Sequence, residues 1–195
     1  MKIYIKNMLC QRCKMVVKSE LEKIDIQFKT IDLVAVETSD DVPPEKLKLL
    51  DKNLRQYGLE LIEGRKNILA ERIKTTLIGL VYNSDEQLKI NLSDYLSEKL
   101  NYDYTYLSNT FSEIQGTTIE KFFINHKIER VKELLVYGEL NLKEISYITQ
   151  YSSIGHLSSQ FKKVTGLPPS QYKNLYIKNR HAPGQVAVYD TMLSA

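Results

Sequence analysis

LSEKLNYDYTYLSNTFSEIQG (residues 96–116) and ISYITQYSSIGHLSSQFKKVTG (145–166) decide how the second half of this chain folds, because one can be laid over the other. Ser97 and Tyr102 recur as Ser146 and Tyr151 at an offset of 49, while Leu107, Ser108, Phe111 and Gly116 recur as Leu157, Ser158, Phe161 and Gly166 at 50. The extra residue falls in the turn. Each copy reads as a short helix, a turn of a few residues and a second helix closed by glycine, which is the helix-turn-helix pattern.

Around the two copies, from Lys66 onward, strand signals vanish and apolar spacing predicts helices over 66–82, 92–100, 103–114, 118–136, 142–149, 153–164 and 169–176. The long fourth helix carries Ile124, Ile128, Val131 and Leu135 on one stripe and reads as a connector shared by the two units. Two recognition helices on one chain could enter successive major-groove segments about 34 Å apart, which other proteins achieve by dimerising.

The first 62 residues follow a different rhythm: KIYIK, QRCKMVVKSELEKI, QFKTID, VAVET, PPEKLKLLDKNLRQY and LELI read as β-α-β-β-α-β. Ile3 and Ile5 share one strand face. Met15, Leu21 and Ile24 on the first helix and Leu47, Leu50 and Leu54 on the second would cover it as a ferredoxin-like sandwich. Pro43 and Pro44 suit the first turn of the second helix and Gly58 its C-terminal cap, whereas DLVA between strands two and three offers no Gly or Asn for a tight hairpin. The expected class is α+β: a βαββαβ domain over 1–64, then an all-α domain of seven helices with two helix-turn-helix units over 65–178, helix 66–82 serving as linker. The last stretch, NRHAPGQVAVYDTMLSA (179–195), has Pro, Gly and small residues without a helix period and is expected to be a disordered tail outside the fold.

Bulk composition bounds the function. With 43% hydrophobic and 26% charged residues, and no apolar run near the ~20 residues that span a bilayer, membrane insertion is excluded. The N-terminus lacks a basic region followed by an apolar run, so two cysteines without a secretion signal point to a reducing cytoplasm. The net charge of +3 is weak, but its distribution is not even. Residues 1–64 carry 11 Lys/Arg against 11 Asp/Glu, 83–116 carry 2 against 6, and 117–180 carry 10 against 5, so basic charge gathers in the last third.

LSDYLSEKLNYDYTYLSNTF, IEKFFINHKIERVKELL and ISYITQYSSIGHLSSQFKKVTGLPPSQYK together resemble the DNA-binding domain of AraC-type transcriptional regulators, over roughly residues 66–176. Tyr151, Leu157, Phe161, Lys162, Lys163, Gly166, Pro169 and Tyr172 stand where that family's signature wants them. Three departures flank the second turn: Ser146 for a small Ala, Thr149 for an apolar residue and Gln150 for the turn glycine. Gln tolerates a left-handed conformation poorly, at roughly 1 kcal/mol or more, whereas Asn101 in the first copy suits it. By position in the recognition helices, Thr105, Ser108 and Asn109 in the first and Gly155, His156, Ser158 and Ser159 in the second should face base edges. Asn109 can pair bidentately with adenine and none of these readers is an arginine for guanine, so A·T-rich or shape-read sites are expected. Lys127, Arg130, Lys162, Lys163 and Lys173 are placed for phosphates, although a lysine-rich face can equally be merely solvated. His126, among Phe122, Phe123 and Arg130, reads as structural.

NMLCQRC (7–13) holds both cysteines of the chain. Cys10 and Cys13 stand at a helix start, where unpaired N–H groups, Arg12 and Lys14 favour thiolates. Met8-Leu9-Cys10-Gln11-Arg12-Cys13 resembles the motif of the heavy-metal-associated domain, the βαββαβ fold of copper chaperones and copper-pump N-termini. The domain holds no His and no third Cys, so two thiolates would take Cu(I), or Ag(I) or Hg(II), more readily than four-coordinate zinc; Met8 reads as core. A reversible disulfide and purely structural thiols are the other readings.

The expected function is a cytoplasmic, sequence-specific transcriptional regulator, not an enzyme, with a soft-metal-sensing N-domain. Its partners would be double-stranded DNA and, open at this stage, a second copy of the chain and RNA polymerase. The rivals are a copper-trafficking chaperone with a helical docking domain, a thiol-redox protein, and a front domain that only dimerises.

Overall fold

The computed structural model describes residues 1–82 and 90–180. Its elements run β1 (Lys2–Lys6), α1 (Gln11–Lys23), β2 (Phe28–Ile31), β3 (Ala35–Thr38), α2 (Pro44–Arg55), β4 (Glu60–Ile62), then α3 (Arg65–Tyr82), α4 (Leu92–Leu100), α5 (Tyr104–Gln115), α6 (Ile119–Tyr137), α7 (Leu142–Ile148), α8 (Ile154–Thr165) and α9 (Pro169–Arg180). Helix ends differ from the sequence expectation by a residue or two, as fraying ends do, except that α9 continues to Arg180. Residues 181–195 of the expected tail lie outside the described residues. The chain divides into two compact units, Met1–Phe123 and the part from Ile124 onward.

The four strands form one antiparallel sheet in the order β2-β3-β1-β4, the arrangement that βαββαβ connectivity gives when both crossovers pass over one face. Ile3 pairs with Val36 and Ile5 with Leu61. Alternation along β1 sends Ile3 and Ile5 inward to Met8, Val17, Leu21, Val36, Leu50 and Leu54. Met15 departs from expectation: it is 65% exposed. Val17 and Leu21, four residues apart, take the inward stripe of α1, and Met15 lies some 200° around the helix from Val17. Glu20 is buried beside that stripe and ties the two helices, accepting from Lys23, from Asn53 on α2 at 3.1 Å and from Tyr57.

Pro44 occupies the first position of α2 behind Pro43, as expected. Gly58, at φ +72, lies two residues beyond the Gln56 cap, where the left-handed step lets Leu59 return its N–H to the Leu54 carbonyl at 3.1 Å. Strands β2 and β3 need no such residue: Asp32–Val34 make a wider link closed by Asp32 N–H donating to Ala35 C=O at 2.8 Å.

In the first unit α3 supplies Leu69, Ile73 and Leu77 to a core with Leu96, Leu100, Leu107, Phe111 and Ile119. Phe111 meets Phe122 edge-on, with ring centroids 5.3 Å apart. The second unit has its own core of Ile128, Val131, Leu134, Leu135, Ile145, Tyr151, Leu157 and Phe161, with Tyr172 edge-on to Phe161. Burying aromatic and branched side chains of this size contributes about 1.5–3 kcal/mol each, so each helix-turn-helix stands on a hydrophobic core. Among the described residues no helix is long and apolar enough to cross a membrane.

Candidate nucleic-acid interface and thiol pair

The first helix-turn-helix is α4 and α5. Asn101 ends α4 in the left-handed region at φ 57, and two residues later the Asp103 carboxylate accepts from the N–H groups of Thr105 and Tyr106, starting α5. Gly116 closes that helix, again left-handed. With Leu107, Thr110 and Phe111 turned inward, Thr105 and Asn109 are exposed and Ser108 is half-buried, so the expected readers share the outer side of α5. Tyr106 lies there too, 45% exposed and stacked on the 44% exposed Tyr102 with centroids 5.6 Å apart. The only sign of this pair in the sequence is two aromatics four residues apart straddling a helix start.

The second helix-turn-helix is α7 and α8. Asn141 and Glu144 form a capping box at the start of α7, and Ser153 caps α8 by accepting from His156 N–H. Gly155, His156 and Ser159 are exposed and Ser158 is half-buried. The His156 ring is oriented rather than loose: Nδ1 lies 3.1 Å from Ser152 Oγ, and the ring stands edge-on to Tyr151 with centroids 5.3 Å apart. Two of the three departures at this turn have local reasons, and the third stands in a conformation its side chain disfavours. Buried Thr149 donates its hydroxyl to the Ile145 carbonyl at 2.6 Å, Ser146 donates to the Tyr151 carbonyl at 3.5 Å, and Gln150 occupies the left-handed region at φ 55.

The five basic residues expected on phosphates separate into two sets. Lys162 and Lys163 are exposed in the last turn of α8, and Lys173 is half-buried on α9. Lys127 departs from the expectation. Its Nζ donates to the Gln150 carbonyl at 2.9 Å and lies 4.0 Å from the centroid of the Tyr151 ring. Burial pulls its ammonium down to about 8. Arg130 departs as well: it is half-buried and pairs with Glu133 one turn along α6 at 2.9 Å. Both neighbour the inward Ile128 and Val131, and a long side chain beside a buried stripe lays its stem along the core. In the first unit the corresponding charge is largely acidic, and Lys66 is paired with Glu113 at 2.7 Å.

Cys10 is the extended N-cap of α1 and is exposed; Cys13 is half-buried one turn along. Their sulfurs lie 3.4 Å apart. The Cys13 backbone N–H, then its thiol, with Arg12 behind, hold Cys10 below the ordinary thiol value in spite of some desolvation. Met8 is fully buried in the sheet core, as the sequence suggested, and offers no sulfur here. Among the described residues no group of three or more His, Cys, Asp or Glu stands together. The donor set is therefore two soft sulfurs, one with raised thiolate character. It fits a two-coordinate soft ion, and the same closeness fits a disulfide after side-chain rotation.

The thiol pair is joined to α3 through Asn7. The Cys13 sulfur lies 3.9 Å from the Asn7 carbonyl. Asn7, left-handed at φ 65, donates its N–H to Glu71 Oε1 at 2.7 Å and accepts from Lys74 Nζ at 2.6 Å through its side-chain oxygen. The Glu71 side chain is 2% exposed and 3.6 Å from Lys74. Leu69, Ile73 and Leu77 of the same helix pack with α4 and α5. One helix thus touches the loop before the cysteines with some residues and the first helix-turn-helix core with others. No sequence spacing announced this joint, because Glu71 and Lys74 look like any i, i+3 surface pair.

Residues 96–174 match the model of a family described as "Helix-turn-helix domain". The xylose operon regulatory protein of Escherichia coli strain K12 is 32% identical over 69 residues, which are 35% of this chain and 18% of that protein. The C-terminal domain of AraT, a response regulator from Geobacillus stearothermophilus, superposes with a TM-score of 0.51 at 23% identity, covering 65% of this chain and 93% of that one. The chain spans under a fifth of the xylose regulator's length. Residues 96–174 thus carry a helix-turn-helix domain.

Proposed function

We propose that the chain is a sequence-specific regulator of transcription that binds double-stranded DNA through α5 and α8 and acts in the cytoplasm. The observation that carries the reading is the pair of capped helices following left-handed turns, each with small polar side chains outward, within the segment that matches the helix-turn-helix family. Asn109 supplies a bidentate partner for adenine, and His156 and the serines supply single hydrogen bonds to base edges. Lys162, Lys163 and Lys173 supply sequence-independent attraction to phosphates. The matched relatives are regulatory proteins, not enzymes. The test is binding of the reduced full chain to an A·T-rich duplex and a G·C-rich duplex of equal length across a salt series. Preference for the first with a steep salt slope supports the reading, and equal weak binding to both refutes its sequence-specific half.

The N-terminal domain is assigned a sensing role for a soft metal such as Cu(I), or for thiol oxidation. Support comes from the exposed, lowered Cys10 thiol beside Cys13 and from the Asn7–Glu71–Lys74 joint, which gives a change at the sulfurs a physical route to α3. Cys10 and Cys13 would hold the ion, whose chemistry there is soft thiolate ligation. Only a difference in affinity between two states of the joint can shift DNA binding. Replacing both cysteines by serine should leave basal DNA binding intact and abolish its response to Cu(I) or to oxidant. A response that survives the double replacement sinks the sensing role.

A further inference from the structure

The second helix-turn-helix turn holds a residue that its backbone conformation disfavours. Gln150 stands at φ 55, where a side chain is crowded by the backbone at a cost of roughly 1 kcal/mol. The equivalent first-unit residue is Asn101, whose short amide suits that region. The second turn nevertheless closes in full: Gln150 N–H reaches the Tyr147 carbonyl at 3.0 Å and Tyr151 N–H reaches the Ser146 carbonyl at 2.9 Å. The Gln150 carbonyl, which could have faced solvent, receives the Lys127 ammonium.

Four contacts then follow one another. Lys127 donates to Gln150 and sits over the Tyr151 ring; Tyr151, 7% exposed, meets the His156 ring edge-on; and Ser152 Oγ bonds His156 Nδ1. In the first unit Tyr102, the counterpart of Tyr151, is 44% exposed and stacks on Tyr106 instead. A tyrosine that recurs in both copies is therefore surface in one and a buried platform in the other, and the buried one lies beneath a cation.

We infer that Lys127 is a positioning residue of the DNA-reading face: by binding the Gln150 carbonyl and the Tyr151 ring from α6, it holds the glycine-less turn closed and fixes His156 at the start of α8. This rests on the DNA-binding reading for its consequence, but the brace itself is a property of the turn. Lys127 was expected on a phosphate; the geometry gives its charge to the protein. The two roles leave different signatures. A lost phosphate contact weakens binding to all sequences and lowers the salt slope by about one, whereas a lost brace weakens binding at an unchanged slope and loosens the turn.

The experiment uses the full chain and the variants Lys127→Met, Lys127→Arg, Gln150→Gly and the Lys127→Met/Gln150→Gly pair. Amide hydrogen exchange of residues 145–157 and anisotropy binding to an A·T-rich duplex are measured for each. Lys127→Met should raise exchange at Gln150 and Tyr151 about tenfold, the effect of ~1.4 kcal/mol, and weaken duplex binding without changing its salt slope. Lys127→Arg should keep most of the protection, and Gln150→Gly should restore much of it in the Met background because glycine needs no brace. Unchanged exchange in Lys127→Met, or an equal effect of Gln150→Gly in both backgrounds, overturns the brace; a salt slope lower by one returns Lys127 to the phosphates. If the wild type ignores the duplex, the DNA reading fails, and the exchange cycle still decides the brace.

Discussion

The two helix-turn-helix units share a sequence pattern and differ in how they are held and charged. The first turns on Asn101, caps its recognition helix with an aspartate, displays a stacked tyrosine pair and lies in an acidic stretch. The second turns on Gln150, caps with a serine, buries its tyrosine under Lys127 and presents exposed lysines at the end of its recognition helix. Repetition of Leu, Phe and Gly fixes the backbone, while the residues between them set how each turn is held and what each outer face presents. On this account the second unit supplies most of the attraction to phosphate. The first would supply contacts that do not depend on charge, through Thr105, Ser108 and Asn109.

The largest effect expected is on the cores. Phe111 and Phe161 occupy matching positions and are both fully buried, so alanine at either should destabilise its own unit by about 3–5 kcal/mol. Hydrogen exchange resolved by peptide checks this: Phe161→Ala should release α7–α9 and Phe111→Ala α4 and α5, and release of both units by either change would break the division into two.

Next comes charge. Lys162→Gln and Lys163→Gln should weaken duplex binding uniformly across sequences and lower the salt slope by about one each, whereas Lys99→Gln in the first unit should change it little. Equal slopes in all three variants would erase the electrostatic contrast. The turns follow at smaller amplitude: Gln150→Gly in the wild-type background should stabilise or leave stability within about 1 kcal/mol, and Asn101→Gly should change it by a few tenths, read from denaturant midpoints.

The smallest effect is one of pH. Glu120 accepts the Tyr104 hydroxyl, and that bond, more than its other contacts, holds the carboxyl below its ordinary value. A carboxylate depressed in the fold contributes stability above its unfolded value, near 4.5, and loses it as pH falls through the folded one. The first unit should therefore weaken slightly on acidification through that window, and Tyr104→Phe should flatten the dependence.

Much of this was legible in the sequence because it rests on local periodicity. The staggered repeat placed both turns to within a residue at each helix end, and the apolar stripes of β1 and α2 placed the sheet core. Met15 was misplaced because a helix of mixed character offers more than one apolar stripe; Leu21 is buried as expected, and Val17 rather than Met15 shares its stripe. The site was half legible. Exposure of Thr105, Asn109, Gly155, His156 and Ser159 follows from helical phase. The inward turn of Lys127, the Arg130–Glu133 pair and the Asn7–Glu71–Lys74 joint depend on which groups meet in space, and residue type does not encode that.

Two unlike helix-turn-helix units on one chain are proposed to read DNA together. The most direct test is selection of the reduced full chain against a pool of random duplexes at moderate salt. The expected result is enrichment of an A·T-rich site whose recovery falls when Asn109 or His156 is replaced by alanine. A pool that emerges with its starting composition, or enrichment indifferent to both replacements, would contradict it.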